Sequence, residues 1–182
     1  FDGRLTFNAA LFRAEYEALG ARFTKWRAVI TIGDGIPTAG CIVGNAEALA
    51  RFAALSQEAG LVPIVEPEVL MDGDHTIERC YEVTAETQAT VFDALRRQWD
   101  GFDGLVHAVA FAPREAIAGN FLDGLNRESF RIAHDVSSYS FAALAKAALP
   151  MMEGRRAAMV TMSYLGAVRM VPSYNTMGLA KA

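Results

Sequence analysis

Four short apolar runs, each followed by a stretch of helical length, constrain the fold of this chain more than any other feature. They lie at residues 26–32 (WRAVITI), 61–66 (LVPIVE), 104–110 (GLVHAVA) and 156–162 (RAAMVTM). Runs of this length, rich in β-branched and apolar residues, read as strands. The second is almost wholly apolar, as in a sheet buried on both faces, and Pro67 is expected to end it. Helices are expected around them. One covers residues 8–19, with Leu11, Phe12, Tyr16 and Leu19 at helical spacing and Gly20 as its stop. Another, capped by Asn45, runs to residue 59 and is stopped by Gly60. Further helical stretches cover residues 75–98. A long helix capped by Asn126 reaches residue 152, with Pro150 disturbing its last turn. A final helix starts near Ser173. Strands alternating with helices indicate an α/β protein with parallel strands, and all four strands can join one small sheet.

At 182 residues the chain holds one domain or two small ones, long enough to bury roughly 70% of its unfolded surface. A net charge of −4 argues against a general nucleic-acid binder, which carries a basic stripe. The most apolar stretch, residues 141–152, contains Lys146 and Pro150 and is too short to span a bilayer, so no membrane partner is expected. Cys41 and Cys80 lack metal-ligand spacing and read as free thiols of a reducing compartment. No secretory leader opens the chain, and the expected location is cytoplasmic. No metal is expected.

Lys25 and Arg27 sit two apart in the first strand region, and Glu66 and Glu68 two apart at the end of the second. Side chains alternate along a strand, so each pair shares a face. If the strands are neighbours, two cations meet two carboxylates. Such a cluster can hold a phosphate and move a proton, or it can be a salt-bridge network that only fixes the sheet. Near the chain's other end, Tyr174 and Lys181 are seven apart in a predicted helix and fall on nearly one face. A lysine ammonium close to a phenol lowers the phenol's pKa and can also bond a ribose hydroxyl. The alternative is a surface lysine beside a half-buried tyrosine. Gly33-Asp34-Gly35 follows a strand but lacks the spacing of a dinucleotide fingerprint, and reads as a loop. His107 and His134 read as packing residues.

The words around these residues carry two resemblances. Lys25-Trp26-Arg27, the string VPIVEPE at residues 62–68 and Asp72-Gly73-Asp74-His75 resemble consecutive strands of class I fructose-bisphosphate aldolase, over about residues 13–97. That family is a (β/α)8 barrel that cleaves fructose 1,6-bisphosphate through a lysine Schiff base, without a metal. The resemblance implies that Lys25 shapes the charge around the reacting carbon, Arg27 contacts a substrate phosphate, Glu66 is the general acid/base and Glu68 supports it. The family's Schiff-base lysine, in a Leu-Leu-Lys-Pro-Asn type motif on the next strand, has no counterpart after Glu68, so no aldolase turnover is expected.

Residues 107–113 (HAVAFAP), 132–140 (IAHDVSSYS), 163–167 (SYLGA) and 174–181 (YNTMGLAK) resemble the NADH-dependent enoyl-acyl-carrier-protein reductases of the short-chain dehydrogenase superfamily, over about residues 99–182. That family has a Rossmann fold and reduces the 2,3-double bond of an acyl thioester. The resemblance implies that Tyr174 stabilises or protonates the enolate, that Lys181 holds the nicotinamide ribose and tunes Tyr174, and that Tyr164 lines the acyl pocket. It places Ala108 and Val109 against the NADH cofactor and Ala112 near the substrate. The family's glycine-rich first β-α turn would precede residue 99, and its last strand and substrate loop would follow residue 182, so weak NADH binding is expected.

The expectation is therefore a fusion: a partial (β/α)8-barrel segment over residues 1–97, then a partial Rossmann segment over residues 98–182, truncated at both ends. Reductase chemistry is better represented than aldolase chemistry, and an inactive fused or truncated product is the further alternative. The implied partners are an acyl-carrier-protein thioester or a sugar bisphosphate. Unpaired apolar faces would favour homo-oligomers or aggregation.

Overall fold

The computed structural model describes residue 16 and residues 18–182. The expected helix at residues 8–19 lies almost wholly outside the described residues. The chain divides into two compact units, one ending at Asp100 and the other spanning Gly101–Ala182. Both are α/β with parallel strands. The four strands form two separate two-stranded sheets rather than one joined sheet, because each strand pairs only within its own unit.

In the first unit, β1 (Phe23–Ile30) leads through a glycine-containing turn to α1 (Ala39–Glu58), β2 (Val62–Val69) and α2 (Ile77–Arg96). β1 alternates cleanly. Ala28 and Ile30 are buried, whereas Lys25, Arg27 and Val29 face the other way and are exposed. Trp26, on the inward face, meets Phe52 of α1 edge to face at 5.4 Å. Ile30 and Ile32 pack with Cys80 and Val83 of α2, and Leu49, Ala50 and Ala53 of α1 are fully buried. Burying these side chains is worth roughly 1.5–3 kcal/mol for each large one.

β2 departs from the sequence reading in two ways. It runs through Pro67 to Val69 instead of stopping there. Val62 N–H donates to Arg22 O and Leu70 N–H to Ile30 O, so even-numbered amides point at β1. Pro63 and Pro67 are odd-numbered, fall on the outer edge and cost no ladder hydrogen bond. Nor is β2 buried on both faces: Val62 and Ile64 are exposed, because among the described residues only one face of this sheet is covered by helices.

α1 begins seven residues earlier than expected. Thr38, not Asn45, is its N-cap, and the Thr38 hydroxyl accepts from Cys41 N–H. Its end follows the sequence. Gly60 takes φ of +76°, Gly60 N–H donates to Gln57 O and Leu61 N–H to Ser56 O, which closes a Schellman turn.

In the second unit, β3 (Gly104–His107) pairs in parallel with β4 (Ala158–Thr161), with His107 opposite Thr161. Between them lie the short α3 (Phe121–Gly124), α4 (Arg127–His134) and α5 (Ser140–Met152), and α6 (Asn175–Lys181) closes the chain. Asn126 caps α4 as expected, accepting from Ser129 N–H at 2.8 Å. The expected single helix from Asn126 to residue 152 is interrupted by a π turn at Asp135–Tyr139. That turn carries Ser137 inward, where its hydroxyl donates to Phe111 O and accepts from Phe111 N–H, both at 3.0 Å.

Thr87 of α2 is 2% exposed, and its hydroxyl has no hydrogen-bond partner among the described residues. An unsatisfied buried hydroxyl costs about 1–3 kcal/mol. Thr87→Val keeps the shape and removes that cost. It should raise the unfolding free energy by about 1 kcal/mol in chemical denaturation. A loss of stability would show that the hydroxyl is satisfied.

Candidate active site

The tyrosine–lysine centre lies in the second unit, at the C-terminal ends of β3 and β4. Open parallel sheets bind ligands outside the carboxyl ends of their strands. Lys181, on α6, sends its ammonium to two backbone carbonyls, Val109 O at 3.0 Å and Met162 O at 2.9 Å. Val109 follows β3 by two residues and Met162 follows β4 by one, so a single side chain joins both strand ends to the helix. An ammonium has three N–H donors, and one remains for a ligand. Partial burial lowers the Lys181 pKa from its ordinary value.

Tyr174 immediately precedes α6, and its ring lies 4.8 Å from that of Tyr164, tilted by 57°. Burial, helped by the neighbouring Tyr164, pushes the Tyr174 phenol above its ordinary pKa. This corrects the expectation that Lys181 would lower it. Desolvation is the dominant influence on the phenol, and no contribution from Lys181 offsets it.

The backbone around Tyr174 is held under strain. Ser173 and Asn175 both take positive φ, 57° and 23°, which non-glycine residues adopt at a cost. The Asn175 side-chain amide offsets it, donating to Ile117 O and Gly119 O, each at 3.1 Å. Two glycines make the fit close. A Cβ on Gly166 would land on the Tyr174 ring, and one on Gly178 would lie 2.7 Å from Gly166 O. Of the remaining predicted residues, Ala108 is exposed, and Ala112 is half-buried beside Phe111. Sequence reasoning missed the supporting roles of Asn175, Ser137, Gly166 and Gly178. All four stand inside the strings quoted above, but spacing gives no sign that they brace a neighbour.

The first unit brings together all four of its predicted residues. The β1–β2 register sets Arg27 opposite Glu66, Lys25 opposite Ile64 and Val29 opposite Glu68. The charges therefore share the sheet face that α1 and α2 leave uncovered. Lys25 Nζ lies 2.6 Å from Glu66 Oε2, Arg27 Nε 3.0 Å from Glu68 Oε2 and 3.5 Å from Glu66 Oε1. The Lys25 contact, reinforced by the Arg27 charge, holds the Glu66 carboxyl below its usual range, although burial works in the opposite direction.

Gly33-Asp34-Gly35 does not form a pyrophosphate cradle. Gly33 N–H donates to Ile36 O and Ile36 N–H to Gly33 O, which closes the turn on itself. The Thr38 hydroxyl occupies an amide at the start of α1 that a phosphate would need. This turn thus does not fit a pyrophosphate. Among the described residues no group of three or more His, Cys, Asp or Glu side chains could hold a metal, and no helix is long and apolar enough to cross a membrane.

The family model described as glycolytic, fructose-bisphosphate aldolase class-I, matches residues 9–113. Over those residues the chain belongs to the class I fructose-bisphosphate aldolase family. It is 67% identical over 84 residues to the probable fructose-bisphosphate aldolase class 1 of Xanthomonas campestris pv. campestris, covering 46% of this chain and 25% of that protein. A different region matches another family. The enoyl-[acyl-carrier-protein] reductase [NADH] FabI of Neisseria meningitidis serogroup B is 56% identical over 104 residues, covering 57% of this chain and 40% of that protein. The crystal structure of the corresponding Aquifex aeolicus VF5 reductase superposes with a TM-score of 0.51 at 31% identity, covering 85% of this chain and 62% of that one. The chain thus spans well under half the length of these curated relatives.

The lowered Glu66 pKa gives a pH signature. Its ion pair adds stability above the ordinary carboxylate range, near about pH 4.3, and that stability is lost as pH falls through the lowered folded-state value. The side chains of Lys25 and Glu66 are 49% and 30% exposed, so solvent screening keeps the effect below about 1 kcal/mol. Glu66→Gln should flatten this acid limb in a pH series of denaturation curves. An unchanged limb would mean that the pair carries none of it.

Proposed function

We propose that the chain is a fusion of two incomplete family segments, an aldolase-like one over residues 1–97 and a reductase-like one over residues 98–182. Its best-represented chemistry is the NADH-dependent reduction of an enoyl thioester. The observation that carries this reading is the arrangement of Tyr164, Tyr174 and Lys181 at the carboxyl ends of two parallel strands. When bound, NADH supplies a hydride to the thioester's double bond. The chain's own residues then have three tasks. The Tyr174 phenol is protonated at neutral pH and can donate to the enolate oxygen that develops on the thioester. Tyr164 lines the acyl side and shields that phenol from water. Lys181 uses its remaining N–H to hold a ribose hydroxyl, with Ala108 and Val109 against the cofactor and Ala112 against the substrate. The substrate is an acyl-carrier-protein thioester, and the setting is the cytoplasm.

The second reading is favoured by one observation, the four-residue charge cluster on β1 and β2. We read these strands as two consecutive strands of a (β/α)8 barrel whose inner face carries the cluster. Arg27 would then meet a sugar phosphate, and Glu66, supported by Glu68 and Lys25, would move the proton. The covalent step has no lysine placed for it after Glu68, so we assign this segment no turnover.

One set of assays separates the readings. Consumption of a crotonyl thioester with millimolar NADH should be detectable, and Tyr174→Phe should lower it at least about 100-fold, the usual range for a general acid. Reduction that survives Tyr174→Phe would overturn the assignment. Cleavage of fructose 1,6-bisphosphate abolished by Glu66→Gln would establish the second reading instead. Failure of both in folded protein would leave the fusion inactive.

A further inference from the structure

His107 is the last residue of β3 and is 1% exposed. A buried imidazole needs partners for both ring nitrogens. Here Nδ1 lies 2.9 Å from the Thr161 hydroxyl and Nε2 lies 2.7 Å from the Ser140 hydroxyl. The hydroxyl network assigns the tautomer. Ser140 donates its own proton to Val136 O at 2.6 Å, so it can only accept from the imidazole, and Nε2 carries the hydrogen. Nδ1 is then an acceptor, and Thr161 donates to it. Burial, with the Lys181 charge adding to it, lowers the His107 pKa and keeps this ring neutral. Phe141 packs on the ring at 5.3 Å and completes its enclosure.

Two of the three elements that His107 joins, β3 and β4, are those whose ends hold Lys181; the third is α5. Through Thr161 it fixes the end of β4, one residue before Met162. Met162 N–H in turn donates to His107 O at 2.8 Å. On its own strand it stands two residues before Val109. Through Ser140 it reaches the first residue of α5, directly after the π turn. Met162 O and Val109 O are the two acceptors of the Lys181 ammonium. We propose that His107 is a positioning residue of the tyrosine–lysine centre: by clamping the ends of β3 and β4 to α5, it sets the separation and aim of the two carbonyls that hold Lys181. The proposal takes Lys181 as the ribose-binding lysine and in that respect rests on the reductase reading.

The test reads Lys181 directly and needs neither NADH nor turnover, so its failure is distinguishable from failure of that reading. Trace labelling of the full chain with fluorodinitrobenzene across a pH series, quantified per lysine by mass spectrometry, gives a titration profile for Lys181. Exposed Lys146 serves as the internal reference. In His107→Leu the Lys181 midpoint should move up, and its limiting rate at high pH relative to Lys146 should rise severalfold, as the ammonium leaves its cradle. His107→Gln, which retains a donor toward Ser140, should restore part of the difference. If His107→Leu does not fold, Thr161→Val decides, because it removes one bond, keeps the branched shape and should shift Lys181 in the same direction by less. A Lys181 profile unchanged in either folded variant would overturn the proposal and leave His107 as packing alone.

Discussion

The second unit depends on one contact, the Lys181 ammonium seated on the carbonyls of Val109 and Met162. A charged donor meeting neutral carbonyls gives hydrogen bonds worth about 1.5–3 kcal/mol each, and these two span three elements. Without them the carbonyls of Val109 and Met162 would lose this donor, and the C-terminal end of α6 would lose its link to both strand ends. The rest of the centre follows from where this contact places the helix. Tyr174 arrives against Tyr164, Gly178 fits under the Gly166 carbonyl, and Asn175 reaches residues 117–119 at the expense of a strained backbone. The phenol is left neutral and partly desolvated, a state suited to donating a hydrogen bond to a developing oxyanion.

The first unit obeys a different constraint. Its sheet has a helix-covered face and a face that carries Lys25, Arg27, Glu66 and Glu68 beside exposed Val29, Val62 and Ile64. The parallel register brings the cations to the carboxylates without help from any other element. The cluster is therefore well formed by two paired strands alone.

The strands and the parallel α/β class were legible in the sequence because four apolar runs separated by helical lengths leave few alternatives. Gly60 and Asn126 were legible for the same reason, since each stands where a helix must stop or start. Other features depended on information that pattern does not hold. The course of β2 through Pro67 rests on which edge of the strand faces β1. The π turn rests on Ser137 finding the Phe111 backbone across the unit. The start of α1 at Thr38 rather than Asn45 was a choice between two good caps. In the candidate site, the charged pairs and the tyrosine–lysine spacing could be read directly. The sign of the Tyr174 shift could not, because it depends on how deeply the phenol is buried and on the neighbouring Tyr164.

On the proposed reading, Tyr164, Tyr174 and Lys181 form a ribose-and-thioester centre, and the Gly33–Gly35 turn provides no cradle for a pyrophosphate. Most of the affinity for a dinucleotide comes from that cradle. Calorimetric titration of the folded chain with NADH tests this reading directly. A dissociation constant no tighter than millimolar, about −4 kcal/mol, is expected. A micromolar constant that is lost in Lys181→Ala would contradict it, and would mean that these residues build a complete cofactor site.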